Sequence, residues 1–228
     1  MNLNAVSADL LKRPDLPLVI EQVRHQLEGE AKRREKFRDW LGEDQKAEYI
    51  NGEIIMHTPV KRNHLRVSEN LTTLLGIHIR LHQQGIIMVE KALIGLTRND
   101  YEPDICYFTK ERAAVFTDDR VVFPAPDFVV EIVSKKTSKI DRGIKHTDYA
   151  SHGVIEYWII DPARKTLEQF VRVGNDTEFM PASKLLIGQI VSSVVIAGFD
   201  IPVAALFEED ACLEALKKMI QPDSTGKL

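Results

Sequence analysis

The sequence predicts one α/β domain, a mixed β-sheet flanked by helices. Three observations predict it. Helical patterns cover Leu18–Gly42, Lys61–Gln84 and Asp141–His152. Between them stand β-branched and aromatic runs of strand length, and Phe128–Val133 is nearly unbroken, as in a central strand covered on both faces. No repeat, low-complexity tract or linker divides the chain.

Val19, Val23 and Leu27 set the spacing of the first helix, and Lys32–Arg38 is a mixed-charge run that reads as a solvated face. Ala47–Thr58 carries Asn51-Gly52 in its middle, the signal for strand, tight turn, strand. In the second helix Val67, Leu71, Leu74 and Leu75 form an apolar stripe, His64 lies on it, and Gly85 stops it. Strands at Ile86–Val89, Ala92–Leu96, Asp104–Phe108, Phe128–Val133 and Ile155–Ile160 are expected in one sheet. The helix Asp141–His152 should cross over between the last two and make them parallel. Leu167–Val173 and Thr177–Met180 read as a hairpin around Gly174-Asn175, Ile190–Ile196 as a strand and Val203–Ile220 as the C-terminal helix, with a frayed end of eight residues.

With 44% hydrophobic and 28% charged residues over 228 positions, the chain has a globular balance rather than a disordered one. No apolar run approaches a membrane span of roughly 18 residues, and the start lacks the apolar core of a secretion signal. Cys106 and Cys212 are too few for a zinc ribbon or a disulfide framework, which fits the cytoplasm. A net charge of −4 excludes nucleic-acid binding by bulk charge and leaves room for a local basic face.

Charged residues where the pattern demands apolar ones point to a site. Glu131 sits inside Phe-Val-Val-Glu-Ile-Val, where a carboxylate is costly unless paired, protonated or bound to a metal. Asp104 opens its strand directly after Pro103. On neighbouring strands the two could face one cleft and share a cation, and hard oxygen ligands in small number suit Mg²⁺ or Mn²⁺. Asp104 alone also reads as an ordinary strand-end residue. Asp141, Lys145 and Tyr149 share a helix stripe, so Lys145 could reach toward the carboxylates; an exposed Asp141–Lys145 pair is the alternative. Lys135, Lys136, Lys139, Arg142 and Lys145 stand against Asp141 alone, a basic tract that could hold phosphate or line a solvated loop.

These residues also carry a resemblance. Pro103-Asp104, Phe128–Ser134, Lys145 with Tyr149, and Gly153–Pro162 resemble a large bacterial family of putative restriction endonucleases, a branch of the PD-(D/E)xK nuclease superfamily. Ala47–Ile55 and His64 fit it too, and the likeness spans roughly residues 40–210. The resemblance implies a restriction-endonuclease-like core with a metal site at one end, and Asp104 and Glu131 as its acids. The superfamily lysine two residues after the second acid is Val133 here, so Lys145 would be its migrated counterpart. Glu48 and His64 would be further site residues. Residues 1–45 then read as a helical extension, 46–210 as the nuclease-like core and 211–228 as the C-terminal helix and tail.

The expected function is a Mg²⁺- or Mn²⁺-dependent endonuclease acting on nucleic acid, DNA above RNA. Asp104, Glu131 and Lys145 would be catalytic, the first two also metal ligands, with Lys135, Lys136, Lys139 and Arg142 on the nucleic-acid backbone. A homodimer is expected, because two sites suit a duplex and two-fold dimers are the commonest oligomers. The other readings are a non-catalytic nucleic-acid-binding or assembly module on a degenerate nuclease fold, and a hydrolase of another phosphodiester.

Overall fold

The computed structural model describes residues 8–42, 45–181 and 183–221. The first long helix, α1 (Leu16–Trp40), buries only Glu30 and Phe37. Its second half is tied to the body through Asp100, whose carboxylate accepts from Arg34 Nε and Arg38 Nε, both at 2.9 Å. Then come β1 (Ala47–Ile50) and β2 (Glu53–Met56). They pair antiparallel around Asn51 and Gly52, at φ 51° and 89°. Two successive left-handed residues match the right-handed strand twist, which is why Asn-Gly is favoured there.

The helix α2 (Arg62–His82) leads into β3 (Gly85–Val89), β4 (Leu93–Gly95), β5 (Asp100–Tyr101) and β6 (Ile105–Thr109). After the single turn α3 (Lys110–Ala113) come β7 (Val122–Phe123) and β8 (Phe128–Ile132). A helical segment over 138–151, α4, joins β8 to β9 (Glu156–Asp161). The chain continues through β10 (Thr166–Val171), β11 (Ser183–Leu186), β12 (Ile190–Ser192), β13 (Asp200–Pro202), a 3-10 turn at Val203–Leu206 and α5 (Glu209–Ile220).

The large sheet has the order β11-β10-β9-β8-β6-β3. Its central pair β8/β9 is parallel, as the crossover helix requires, and its other pairings are antiparallel. A second sheet has the order β2-β1-β5-β4-β7, and β12-β13 form a ribbon. The expectation of one sheet therefore fails at Ala92–Leu96, whose core β4 pairs with β5 and β7 in the second sheet. The chain changes sheets over Glu102, Pro103 and Asp104, between β5 and β6.

Three further expectations are corrected. The neighbours of β10 in the sheet are β9 and β11, and Thr177–Met180 forms no strand, keeping of the expected hairpin the bond from Met180 N–H to the Val171 carbonyl at 2.9 Å. Phe179 instead turns into a ring cluster with His146, Tyr157 and Phe170, at 5.1, 5.9 and 6.2 Å, and that packing wins over strand pairing. The strand at Ile190 stops at Ser192. The predicted C-terminal helix is interrupted at Phe207 and Glu208, between the 3-10 turn and α5. Most of the frayed end expected after Ile220 lies outside the described residues.

The two faces of the large sheet differ. On one, Phe128, Val130, Ile132, Trp158 and Ile160 pack with Val67, Leu71, Leu74 and Leu75 of α2 and with Cys212 and Ala215 of α5. On the other, Cys106, Phe108, Val129, Val133, Tyr157 and Ile159 pack with Tyr149 and Ala150 of α4. Residues 129, 131 and 133 alternate onto this second face, so Glu131 is enclosed beneath α4.

Candidate active site

The strand register places the acid pair. Ile105 lies opposite Val130 in the antiparallel β6/β8 ladder. One step further along the same register, Asp104 comes opposite Glu131, where side chains share a face. Asp104 Oδ2 accepts from the backbone N–H of Ile132 at 2.7 Å, which ties the carboxylate across the ladder. Asp104 and Glu131 are 8% and 5% exposed.

Helix α4 supplies the cation. Its central turn, Asp141–Lys145, is π-helical. Such π-bulges recur at functional sites. Lys145 Nζ lies 2.8 Å from Glu48 Oε1, 2.9 Å from Glu131 Oε1 and 3.4 Å from Asp141 Oδ1. Tyr149, one turn on, donates to Glu131 Oε1 at 3.2 Å. Three elements distant in sequence thus meet on one ammonium group.

The small sheet brings the remaining groups. Glu48 lies on β1, two residues after Lys46 and on the same side, and its Oε1 also accepts from the backbone N–H of Glu102 at 2.9 Å. His57, whose N–H bonds to the Lys46 carbonyl, puts Nε2 3.4 Å from Glu48 Oε2. Lys46 Nζ is 3.6 Å from Asp104 Oδ1. His64, in the first turn of α2, approaches the same oxygen to 3.4 Å through Nε2.

This crowding shapes the titration of the site. Burial pushes the Glu131 carboxyl well above its ordinary range; Lys145 opposes the rise, and Asp141, Asp104 and Glu48 add to it. Asp141 is raised in the same way by burial. For Glu48 and Asp104 burial also works upward, but it is overcome by Lys145 and His57 for Glu48, and by His64 and Lys46 for Asp104, so both end below the usual range. Burial works to lower Lys145, yet Glu131, Glu48 and Asp141 hold it well above a free lysine. A strongly held ammonium beside carboxyls that resist ionisation means that the site contains more acids than its cations neutralise.

Among the described residues, no three His, Cys, Asp or Glu side chains group as a ready ligand set. Lys145 accounts for that, since it draws three of the carboxylates to itself. Glu131 Oε2 makes no hydrogen bond among the described residues, and Asp104 Oδ1 has Lys46 and His64 near it at 3.6 and 3.4 Å. Mg²⁺ commonly takes one or two carboxylates and keeps water in its other positions, so the pair suits it in number and chemistry.

Residues 34–204 match the Uma2 family, described as putative restriction endonuclease. The chain belongs to this family. Among solved structures, the chain is similar in fold to a putative nuclease of the DUF820 group from Anabaena variabilis, known as a crystal structure. It superposes with a TM-score of 0.66 at 17% identity, over 76% of this chain and 96% of that one. At that identity the likeness is one of fold, and the nuclease-like fold is shown. An uncharacterized protein of Synechocystis sp., sll1609, is 28% identical over 134 residues, 58% of this chain and 75% of its own length.

The structure brings Asp104, Glu131, Lys145, Glu48 and His64 of this Uma2 chain to one centre. It sets the basic tract apart. Lys135, Lys136 and Lys139 are exposed just beyond β8. Arg142 instead forms a two-pronged pair with Glu168, at 3.0 and 2.8 Å, so its guanidinium is already occupied. Sequence reasoning missed Asp141 as a buried member, and also Lys46 and His57. The hairpin held a signal for the last two. Lys46 shares a strand face with Glu48, and a turn centred on Asn51-Gly52 brings His57 opposite Lys46.

Proposed function

We propose that this chain is a divalent-metal-dependent endonuclease that hydrolyses phosphodiester bonds in nucleic acid, with DNA the favoured substrate. The observation that carries the reading is the excess of buried carboxylates around Lys145 at the C-terminal end of β8, the usual ligand end of a parallel strand pair. Asp104 and Glu131 would hold Mg²⁺ or Mn²⁺. When bound, the ion supplies Lewis acidity, making water a better nucleophile and offsetting charge on the phosphate.

The chain's own residues supply the rest. Lys145 is too firmly protonated to serve as a base, so its role is a fixed positive charge near the developing negative charge of the transition state. Glu48 and Asp141 keep the ammonium in place, and Tyr149 orients the Glu131 carboxylate. Water attacks phosphorus, the bond to the 3′-oxygen breaks, and that oxygen leaves with a proton. His64, with Nε2 3.4 Å from Asp104 Oδ1, holds that carboxylate beside the ion. Lys135, Lys136 and Lys139 would hold the backbone of the substrate beside the cleft. The substrate's two strands favour a homodimer. No described helix is long and apolar enough to cross a membrane, and we place the protein in the cytoplasm.

Nicking of supercoiled plasmid in Mg²⁺ and in Mn²⁺ tests this reading. Wild-type protein should nick, chelation should stop it, and Glu131→Ala should lower the rate at least about 100-fold. Equal nicking by both proteins, or none by wild type in either ion, would remove the endonuclease.

A further inference from the structure

Asp141 is the group that the mechanism explains least. It is 2% exposed, and its Oδ1 has no hydrogen-bond partner; the atom lies 3.4 Å from an ammonium that Glu48 and Glu131 already hold more closely. A third acid is not needed to satisfy one lysine. It adds buried negative charge, which is unfavourable unless something else offsets it.

Formal charges around the centre show what that is. Five buried carboxylates, Glu48, Glu102, Asp104, Glu131 and Asp141, face two ammonium groups, Lys46 and Lys145. The imidazoles His57 and His64 complete the set, and Glu90 touches Lys46 at 3.8 Å from a more exposed position. The buried acids outnumber the ammonium groups, and a divalent ion at Asp104 and Glu131 would offset part of that excess. Lys145 Nζ already fills the space between Glu48, Glu131 and Asp141, at 2.8, 2.9 and 3.4 Å, so those oxygens are taken by a fixed cation.

We infer that Lys145, held by Asp141 within the π-turn, sits where a second cation would sit and limits the site to one divalent ion. The inference rests on the reading of Asp104 and Glu131 as the ligands of that ion. Asp141 is then a positioning residue. Asp141 and Lys145 are the first and last residues of the π-turn, four apart as in an ordinary helical pair, and Gly143 between them meets nothing within 4 Å of an added Cβ.

Mn²⁺ titration of the full chain, followed by electron paramagnetic resonance and calorimetry, tests this without reference to turnover. Wild type is expected to bind one Mn²⁺, and Lys145→Arg the same. Lys145→Met should take a second ion or bind the first at least about tenfold more tightly. Asp141→Asn should bind one ion about tenfold more weakly, and it decides the matter if Lys145→Met does not fold. Two ions in wild type, or unchanged number and affinity in Lys145→Met or in Asp141→Asn, would overturn the inference and leave the metal ligands standing. No binding by wild type would overturn both, and plasmid nicking reports separately on the nuclease.

Discussion

Glu131 and Glu156 lie on adjacent parallel strands, both buried, and are held in opposite ways. Glu156, 0% exposed, accepts from Trp158 Nε1 at 2.7 Å, Gln169 Nε2 at 2.8 Å, Ser193 Oγ at 2.6 Å and the backbone N–H groups of Val194 and Val195 at 3.0 and 3.1 Å. Glu131 receives Lys145 and Tyr149 on one oxygen and stands among three other acids. Glu156 opens β9 and faces the apolar side of the sheet with Trp158, whereas Glu131 lies near the end of β8 under α4. The difference separates two uses of a buried charge. A carboxylate surrounded by donors stitches loops to a sheet, while one crowded by like charges carries a cost in stability that a bound cation would offset.

The largest effect expected is at the satisfied glutamate. Glu156→Ala leaves two backbone N–H groups and the Ser193 hydroxyl without their acceptor and should lower unfolding free energy by about 3–5 kcal/mol in urea melts. A loss below about 1 kcal/mol would mean that these donors find other partners and that the contrast is overstated.

A smaller effect, of opposite character, concerns pH. The raised Glu131 and Asp141 contribute stability below the ordinary carboxylate range, near pH 4, and that contribution is lost as pH climbs through their folded values. The lowered Glu48 and Asp104 behave conversely, their contribution being present above that range and lost on acidification. Urea melts from pH 4 to 8 should therefore show Glu131→Gln gaining on wild type as pH rises. A difference that stays flat or shrinks would show that Glu131 is as well satisfied as Glu156.

The smallest effect on stability belongs to the exposed lysines. Replacing Lys135, Lys136 and Lys139 together by alanine should change unfolding free energy by less than about 0.5 kcal/mol each. The same change should flatten the salt dependence of DNA binding by up to about three units of slope, roughly 0.9 per lost phosphate contact. An unaltered slope would place the nucleic-acid path elsewhere.

How much of this was readable from sequence depends on the kind of signal. Glu131 was legible because a charge inside an apolar strand is an energetic anomaly, and Asp104 because Pro103 fixed the strand start. Lys145 was legible through its stripe with Tyr149. Asp141 was not: as partner of Lys145 four residues away it reads equally as a solvated pair, and nothing in its neighbours announces a π-turn. Glu156 shows the converse, since its donors come from Ser193–Val195, far along the chain. The split into two sheets was also hidden, because Ala92–Leu96 has the same apolar pattern whichever sheet it joins, and the junction at Glu102–Asp104 is set by tertiary contacts.

The most direct test sets Glu131→Gln beside Glu156→Gln, measuring unfolding free energy at neutral pH and plasmid nicking in Mn²⁺ on the same preparations. Glutamine keeps the shape of each side chain and removes its charge. The account predicts that Glu131→Gln is at least as stable as wild type, within about 1 kcal/mol, and has lost nicking, while Glu156→Gln is less stable by about 1–3 kcal/mol and still nicks. A Glu131→Gln protein that is strongly destabilised yet nicks at the wild-type rate would contradict it.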